Sequence, residues 1–306
     1  MKGRKGNIGC FLLRCLTRPL AILPLSFHRA CGKVIGRATG SLARYRRDVV
    51  MTNLARSFPD KKYEELENIC HRAYEHFGKL ITETIWFGAG NFRDRIFKSH
   101  IVEITNPELI NGLHDKGKSI FALASHSGNW ELIGGYDHYS YQEPLKFDEK
   151  DICVVYRAMS SHAWDKFMRL NRIAALKDKK HYDGMVETYS VLRYAIRNKD
   201  RQILYNFITD QHPYSPTSCV HVKDFLHQPT LSMDGAAALA HKFGAAAVYL
   251  GMKENPDGNY SITYTLIAED SSKMSVKEIL DRYYELLEND IQEQPWNYLW
   301  THKRWK

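Results

Sequence analysis

A chain of 306 residues with 44% hydrophobic and 25% charged side chains has the composition of a globular protein, long enough for one large α/β domain or a domain with an appendage. Its balance is basic, with 43 Lys and Arg against 35 Asp and Glu, a net charge of +8 and a pI near 9.0. That favours acidic partners (anionic lipid, an acidic carrier protein, a phosphorylated glycolipid or nucleic acid) without choosing among them. The six cysteines contain no Cys-x-x-Cys and suit neither a zinc site nor a compact disulfide framework, which points to a reducing compartment.

Residues 1–40 differ from the rest. A basic start precedes apolar runs at 8–13 and 19–27 and a Gly/Ala-dotted stretch at 31–40, with Arg14, Arg18 and Arg29 between them. No run reaches the 18 or so uncharged residues of a spanning helix, and no cleavage site follows a clean apolar core, against a secretory signal. An interfacial segment that dips apolar residues into lipid fits better, with a short tilted span or a helix packed on the domain as alternatives. Residues 44–59 form a basic amphipathic pattern closed by Phe58-Pro59. Apolar positions at helical spacing from Leu66 to Thr84 predict a long helix over 61–87. Inside it, His71-Arg-Ala-Tyr-Glu-His76 matches neither zinc-protease motif.

A short strand is expected at 101–104 and a helix at 106–116. Ile120–Ala124 is then a continuous apolar run, the pattern of a strand buried on both faces. It runs into Ser125-His126-Ser127-Gly128-Asn129, a tight turn, after which Trp130-Glu131-Leu132-Ile133 opens a helical pattern with Asn129 as its N-cap. His126 therefore sits at the carboxyl end of a strand, where open α/β sheets place their ligands. With His126 in the turn and Glu131 in the first helical turn, the carboxylate is expected to fold back and fix the imidazole tautomer. Gly-x-Ser-x-Gly is absent. A base without its own nucleophile points to activation of a substrate hydroxyl, which attacks an acyl group directly.

Beyond a loop at 139–151, residues 152–157 predict a second buried strand with Arg157 at its carboxyl end, next to the His-bearing strand and placed as a ligand or oxyanion contact. A helix at 163–173 carries Arg169 and Arg172. A crossover helix is expected at 183–197 and a strand at 202–208, which runs into Asp210 and Gln211 of a proline-punctuated loop. Thr230 reads as the N-cap of a helix over 231–243 closed by Gly244. An antiparallel hairpin turns on Asn255-Pro-Asp-Gly-Asn259. Ser275-Val-Lys-Glu278 is a capping box for a helix to about residue 292. The tail 296–306, dense in Trp and basic residues, suits either a membrane interface or burial against the core.

His-Ser-Gly-Asn-Trp-Glu at 126–131 resembles the His-x-x-x-x-Glu signature of the lipid A biosynthesis lauroyl/myristoyl acyltransferases. That family is related to the glycerol-phosphate acyltransferases, which use Asp at the second position. Arg46-Arg47, Asn53-Leu54 and Phe58-Pro59 are similar to the segment preceding the family's catalytic domain. Val-Tyr-Arg157 and a following helical Arg, Arg169 more closely than Arg172, resemble its second signature. Asp210-Gln211-His212 and the tail pattern Pro-x-x-Tyr-x-Trp-x-His-x-Arg-x-Lys match further. The chain departs at Tyr214-Ser-Pro and at 222–229, where the family has a glycine and then Val-Pro-Phe-Phe-Gly.

The expected architecture is α/β, a mixed, largely parallel central sheet flanked by helices as in glycerol-phosphate acyltransferases. A membrane-associating segment would occupy 1–45 and the acyltransferase domain 46–306. The resemblance implies His126 and Glu131 as catalytic residues, and Gly128, Asn129, Arg157, Arg169, Asp210 and Gln211 as substrate-binding residues. It implies acyl carrier protein as donor and a lipid A precursor as acceptor, at the cytoplasmic face of a bacterial inner membrane. A thioester is already activated, so no metal or redox cofactor is required, and no nucleic-acid motif is present. The alternatives are the same chemistry on another membrane lipid (a glycolipid, aminolipid or lysophospholipid), or a non-catalytic basic membrane- or nucleic-acid-binding protein.

Overall fold

The computed structural model describes residues 2–213 and 218–305. Helices α1 (Lys2–Ala21), α2 (Leu25–Arg37), α3 (Arg47–Ser57) and α4 (Tyr63–Phe87) come first, with a π-helical turn at Ala38–Leu42. Then follow α5 (Arg95–Ser99), β1 (Val102–Ile104), α6 (Pro107–Asp115), β2 (Ile120–Ala124) and a 3-10 segment, Trp130–His138. The next set is β3 (Ile152–Tyr156), α7 (His162–Arg172), β4 (Met185–Glu187), α8 (Val191–Arg197) and β5 (Leu204–Ile208). The chain ends through β6 (Cys219–Phe225), β7 (Gln228–Met233), α9 (Gly235–Phe243), β8 (Ala246–Glu254), β9 (Tyr260–Ala268) and α10 (Val276–Glu293).

Seven strands form one sheet in the order β1-β9-β8-β2-β5-β3-β4. Every pairing is parallel except the β8–β9 hairpin, so the sheet is mixed and largely parallel, as expected. The apolar run of β2 is buried throughout because it serves both faces. Phe121 and Leu123 enter a core with Phe207, Leu280 and Tyr283, while Ile120, Ala122 and Ala124 enter a second core with Ile133, Val248 and Ile262. Alternate side chains of a strand point to opposite faces, so a strand between two helical layers needs apolar residues at every position.

Where turn chemistry is local, the structure follows the sequence. The β8–β9 hairpin turns with Gly258 at φ +85, and Ser275 and Glu278 make the capping box of α10. Gly244 closes α9 in the left-handed conformation. Two expectations change. Residues 183–197 are not one helix, because Met185–Glu187 adds the edge strand β4 beside β3 before α8 begins. Thr230 is not an N-cap but lies inside β7, paired with Val222, and α9 starts only at Gly235. Of the two readings left open for the tail, burial against the core is the one found, with Trp300 and Arg304 each 2% exposed.

At the N-terminal end, α2 packs closely on α4. A Cβ on Gly36 would stand 2.1 Å from the Tyr74 carbonyl oxygen, and one on Gly78 the same distance from that of Gly32, so glycine is what lets the two backbones approach. Arg29 crosses from α2 to the buried Glu83 of α4 at 2.9 Å. Ile8, Phe11, Leu12, Leu16, Leu20 and Ile22 are exposed around α1. No single described helix is long and apolar enough to cross a membrane; Gly6–Ala21 and Leu25–Leu42 reach that composition only as a pair bent by 118°.

Candidate active site

The parallel register of the central strands decides which side chains meet. Ala124 of β2 is paired with Ile208 of β5, and two residues past each strand come His126 and Asp210. Continued at the same register the two face one another, and Nδ1 of His126 lies 2.7 Å from Oδ1 of Asp210. The same oxygen accepts the His126 backbone N–H at 3.2 Å. On the other side of the ring, the Gln211 amide nitrogen lies 2.9 Å from Nε2. An amide donates, so Nε2 carries the lone pair and Nδ1 the proton, the tautomer of a general base held by a carboxylate. Burial pushes the Asp210 carboxyl up, but the imidazole, the His126 N–H and the Tyr298 hydroxyl outweigh it and leave the group below its ordinary value. Trp130 packs edge-on against the His126 ring, centroids 4.8 Å apart.

The turn that carries His126 is pinned by the C-terminal segment and by α4. The Leu299 N–H donates to the His126 carbonyl at 3.1 Å and the Gly128 N–H to the Asn297 carbonyl at 2.9 Å, around a bridge between Ser127 and Tyr298. From α4, His76 Nε2 donates to the Gly128 carbonyl at 3.0 Å while its Nδ1 meets Glu254 at 3.0 Å. Gly128 has φ +61, and a Cβ there would lie 2.6 Å from the Met252 side chain, so both conformation and space require glycine. Glu254 is pushed up by burial, yet hydrogen bonds and charge from His76 and Lys79 lower it to about 2.

Several expected site residues do other work. Glu131 does not reach His126: both its oxygens are taken by Arg172, Nε and Nη2 each at 2.7 Å. The 3-10 segment opening at Trp130 turns this carboxylate toward α7. Burial lowers the Arg172 guanidinium, but the Glu131 charge and hydrogen bonds raise it overall. Asn129 makes no cap hydrogen bond; it is fully buried and donates to Glu83 at 3.0 Å. Because the Gly128 N–H is already given to Asn297, it is not an oxyanion donor in this arrangement. Arg157 does not follow the strand next to β2, since β5 lies between β2 and β3; it is exposed. Arg169 is also exposed, its guanidinium 5.4 Å from the Tyr156 ring centre. Tyr214–Pro216 of the loop after Asp210 lie outside the described residues.

A cleft of about 310 Å³ including its mouth reaches Trp130, which packs on His126, but is not lined by His126 or Asp210; Ala73, Phe77, Leu80, Leu299 and Trp300 wall it, with His76 and Thr301 among them. Its walls are largely apolar, as an acyl chain requires. Ser125 and Ser127 are buried and bonded to each other at 2.9 Å, so neither presents a hydroxyl to Nε2. Among the described residues no group of three or more His, Cys, Asp or Glu side chains is arranged to hold a metal ion. Sequence reasoning gave no site role to His76 or to Tyr298, although Tyr298 is the tyrosine of the tail pattern. It had the signal for Asp210 in hand, since His126 and Asp210 each stand two residues beyond a five-residue strand.

Compared with known proteins, the chain has no match among curated relatives, but the model of one family matches it over nearly its whole length, including β2, the turn, β5 and the C-terminal segment. With residues 6–306 matched, the chain belongs to the bacterial lipid A biosynthesis acyltransferases.

Proposed function

We propose that the protein moves a fatty acyl chain from the thioester of acyl carrier protein to a hydroxyl of a lipid A precursor, at the cytoplasmic face of a bacterial inner membrane. The observation that carries this reading is the Asp210–His126 pair, with Nε2 facing an amide rather than a Ser or Cys. The acceptor hydroxyl displaces Gln211 and gives its proton to Nε2. Its oxygen attacks the thioester carbonyl carbon, a C–O bond forms, and the negative charge passes to the carbonyl oxygen, toward which the displaced Gln211 amide donates. On collapse the C–S bond breaks and the thiolate takes the proton from the imidazolium. Asp210 stabilises that imidazolium in between.

The acyl chain lies in the cleft beside Trp130. Arg157 and Arg169, exposed beyond β3, meet an acceptor phosphate as solvent-facing cations. The exposed apolar residues of α1 meet the lipid surface, with the basic side chains near them on the headgroups. A second acceptor class, another membrane lipid bearing a free hydroxyl, is favoured by one feature: the chain's own sequence over 222–229, which builds the β6–β7 hairpin.

The test is transfer by the purified protein from acyl carrier protein thioester to a lipid A precursor, followed by mass spectrometry. His126→Ala is expected to lower turnover by about 10³-fold or more while keeping fold and vesicle binding. Near-normal turnover by that variant would reject the assignment, and transfer to a phospholipid but not to the lipid A precursor would select the second acceptor.

A further inference from the structure

One stripe of α4 carries three buried titratable side chains, His76, Lys79 and Glu83, spaced three and four residues apart. Two of them hold successive residues of the turn that carries His126. His76 takes the Gly128 carbonyl. Glu83, fully buried, takes the side chain of the next residue: its Oε2 accepts from Asn129 Nδ2 at 3.0 Å, and from the Tyr260 hydroxyl of β9 at 2.9 Å. The other oxygen, Oε1, accepts from Nε of Arg29 at 2.9 Å. Arg29 belongs to α2 and is fastened to the β8–β9 turn as well, its Nη2 donating to Asn259 Oδ1 at 2.7 Å. Among the described residues it is the only cation within ion-pair distance of Glu83. The transfer steps above use neither residue.

A carboxylate shut away from water is costly unless charge and hydrogen bonds replace its hydration. Lys79, the cation of the same stripe, is paired with Glu254 at 2.7 Å. The charge that offsets Glu83 therefore comes from outside α4, from the N-terminal segment. Helix α2 turns Arg29 inward and leaves Phe27, Val34 and Ile35 exposed. We propose that Glu83 and Arg29 are positioning residues of the acyl transfer: Glu83 holds Asn129, and with it the turn behind His126, and Arg29 makes that hold depend on α2 being seated on α4. The proposal rests on His126 as the base. Neither residue touches the reacting atoms; both act through the turn, whose placement sets the direction of Nε2. A catalytic group misplaced by about 1 Å costs about 10²-fold in rate, so a loosened turn shows in kcat rather than in KM.

A second ion pair between the same helices separates positioning from packing. Arg37 of α2 also meets α4, through Glu75 at 2.6 Å, but on the surface. Glu83→Gln and Arg29→Met are expected to lower kcat about tenfold, with KM and binding to anionic phospholipid vesicles unchanged, whereas Arg37→Met keeps the parent kcat. Asn129→Asp sets a second carboxylate against Glu83 and is expected to cost about 10²-fold. Combining Glu83→Gln with Asn129→Asp exchanges donor and acceptor and keeps one negative charge, so kcat is expected to return to within about threefold of the parent. The Nδ1 proton of His126, followed by NMR, is expected to shift or broaden in the single variants and to recover in the double one. Should a single variant fail to fold, the double variant carries the test. Folded Glu83→Gln with kcat and Nδ1 signal as in the parent chain would overturn the proposal. So would a folded double variant without recovery, or a loss in Arg37→Met equal to that in Arg29→Met. Because the NMR signal needs no acyl acceptor, it tests the support of the turn even if the parent chain shows no transfer, an outcome that would instead strike the reading of the site.

Discussion

Two of the buried carboxylates near the turn that carries His126, Glu131 and Asp210, differ in where the chain puts them. Glu131 is five residues away in sequence, yet its charge is spent on Arg172 of α7. Asp210 is 84 residues away, yet its oxygen is 2.7 Å from the imidazole. Parallel register explains the contrast: β2 and β5 are neighbours, so their ends deliver side chains to one place, while a short 3-10 segment turns Glu131 toward the helical layer. In a parallel sheet, nearness along the chain is a weaker guide to a catalytic pair than equal distance past the ends of adjacent strands. Glu131 then acts at one remove, by tying the segment that carries Trp130 to α7.

The sharpest way to break this comparison is to neutralise each carboxylate in turn. Asp210→Asn is expected to cut turnover by about 10²- to 10⁴-fold while the protein stays folded, since the imidazole loses its orienting anion; steady-state kinetics beside a thermal melt would measure both. Glu131→Gln is expected to behave differently. Breaking a buried bidentate pair should cost about 3 kcal/mol of stability, Arg172→Gln should do the same, and the double variant should be no worse than either, as a double-mutant cycle would reveal. Additive losses would mean that the two residues act separately.

A smaller effect is expected at the clamp under Gly128. The Glu254 carboxyl drops from 4.5 to about 2 in the folded state. Its contribution is therefore complete above the unfolded value and is lost as pH falls from about 4.5 toward 2. Allowing for partial exposure, that contribution is about 2 kcal/mol. Glu254→Gln should be less stable by this amount at pH 7 and show a flatter decline between pH 5 and 2 in denaturant melts. Smallest of all, Arg169→Ala on the exposed face of α7 should leave stability within about 0.5 kcal/mol and raise KM for a phosphorylated acceptor only a fewfold. No change in KM would remove it from the acceptor site.

Much of this architecture was legible in the residues. Ile120–Ala124 could only be a strand covered on both faces, and the Asn255–Asn259 turn and the Ser275–Glu278 box are local devices whose geometry does not depend on the rest of the chain. What the residues could not give was strand order. Arg157 seemed a natural neighbour of His126 only while β3 was taken to lie next to β2; the insertion of β5 between them moves Arg157 outward and brings in Asp210. Thr230 offered a credible cap, but pairing with Val222 drew it into a hairpin. The tail's mixture of Trp and Arg allowed surface or core, and the choice fell to partners far off in sequence: Asn53, Leu231 and Tyr284.

The pairing of His126 with Asp210 is open to direct observation through the Nδ1 proton of His126 in the NMR spectrum of the labelled protein. A proton shared with a carboxylate at this distance is expected far downfield, still present in Glu131→Gln and lost in Asp210→Asn. Its survival in Asp210→Asn together with its loss in Glu131→Gln would contradict the account.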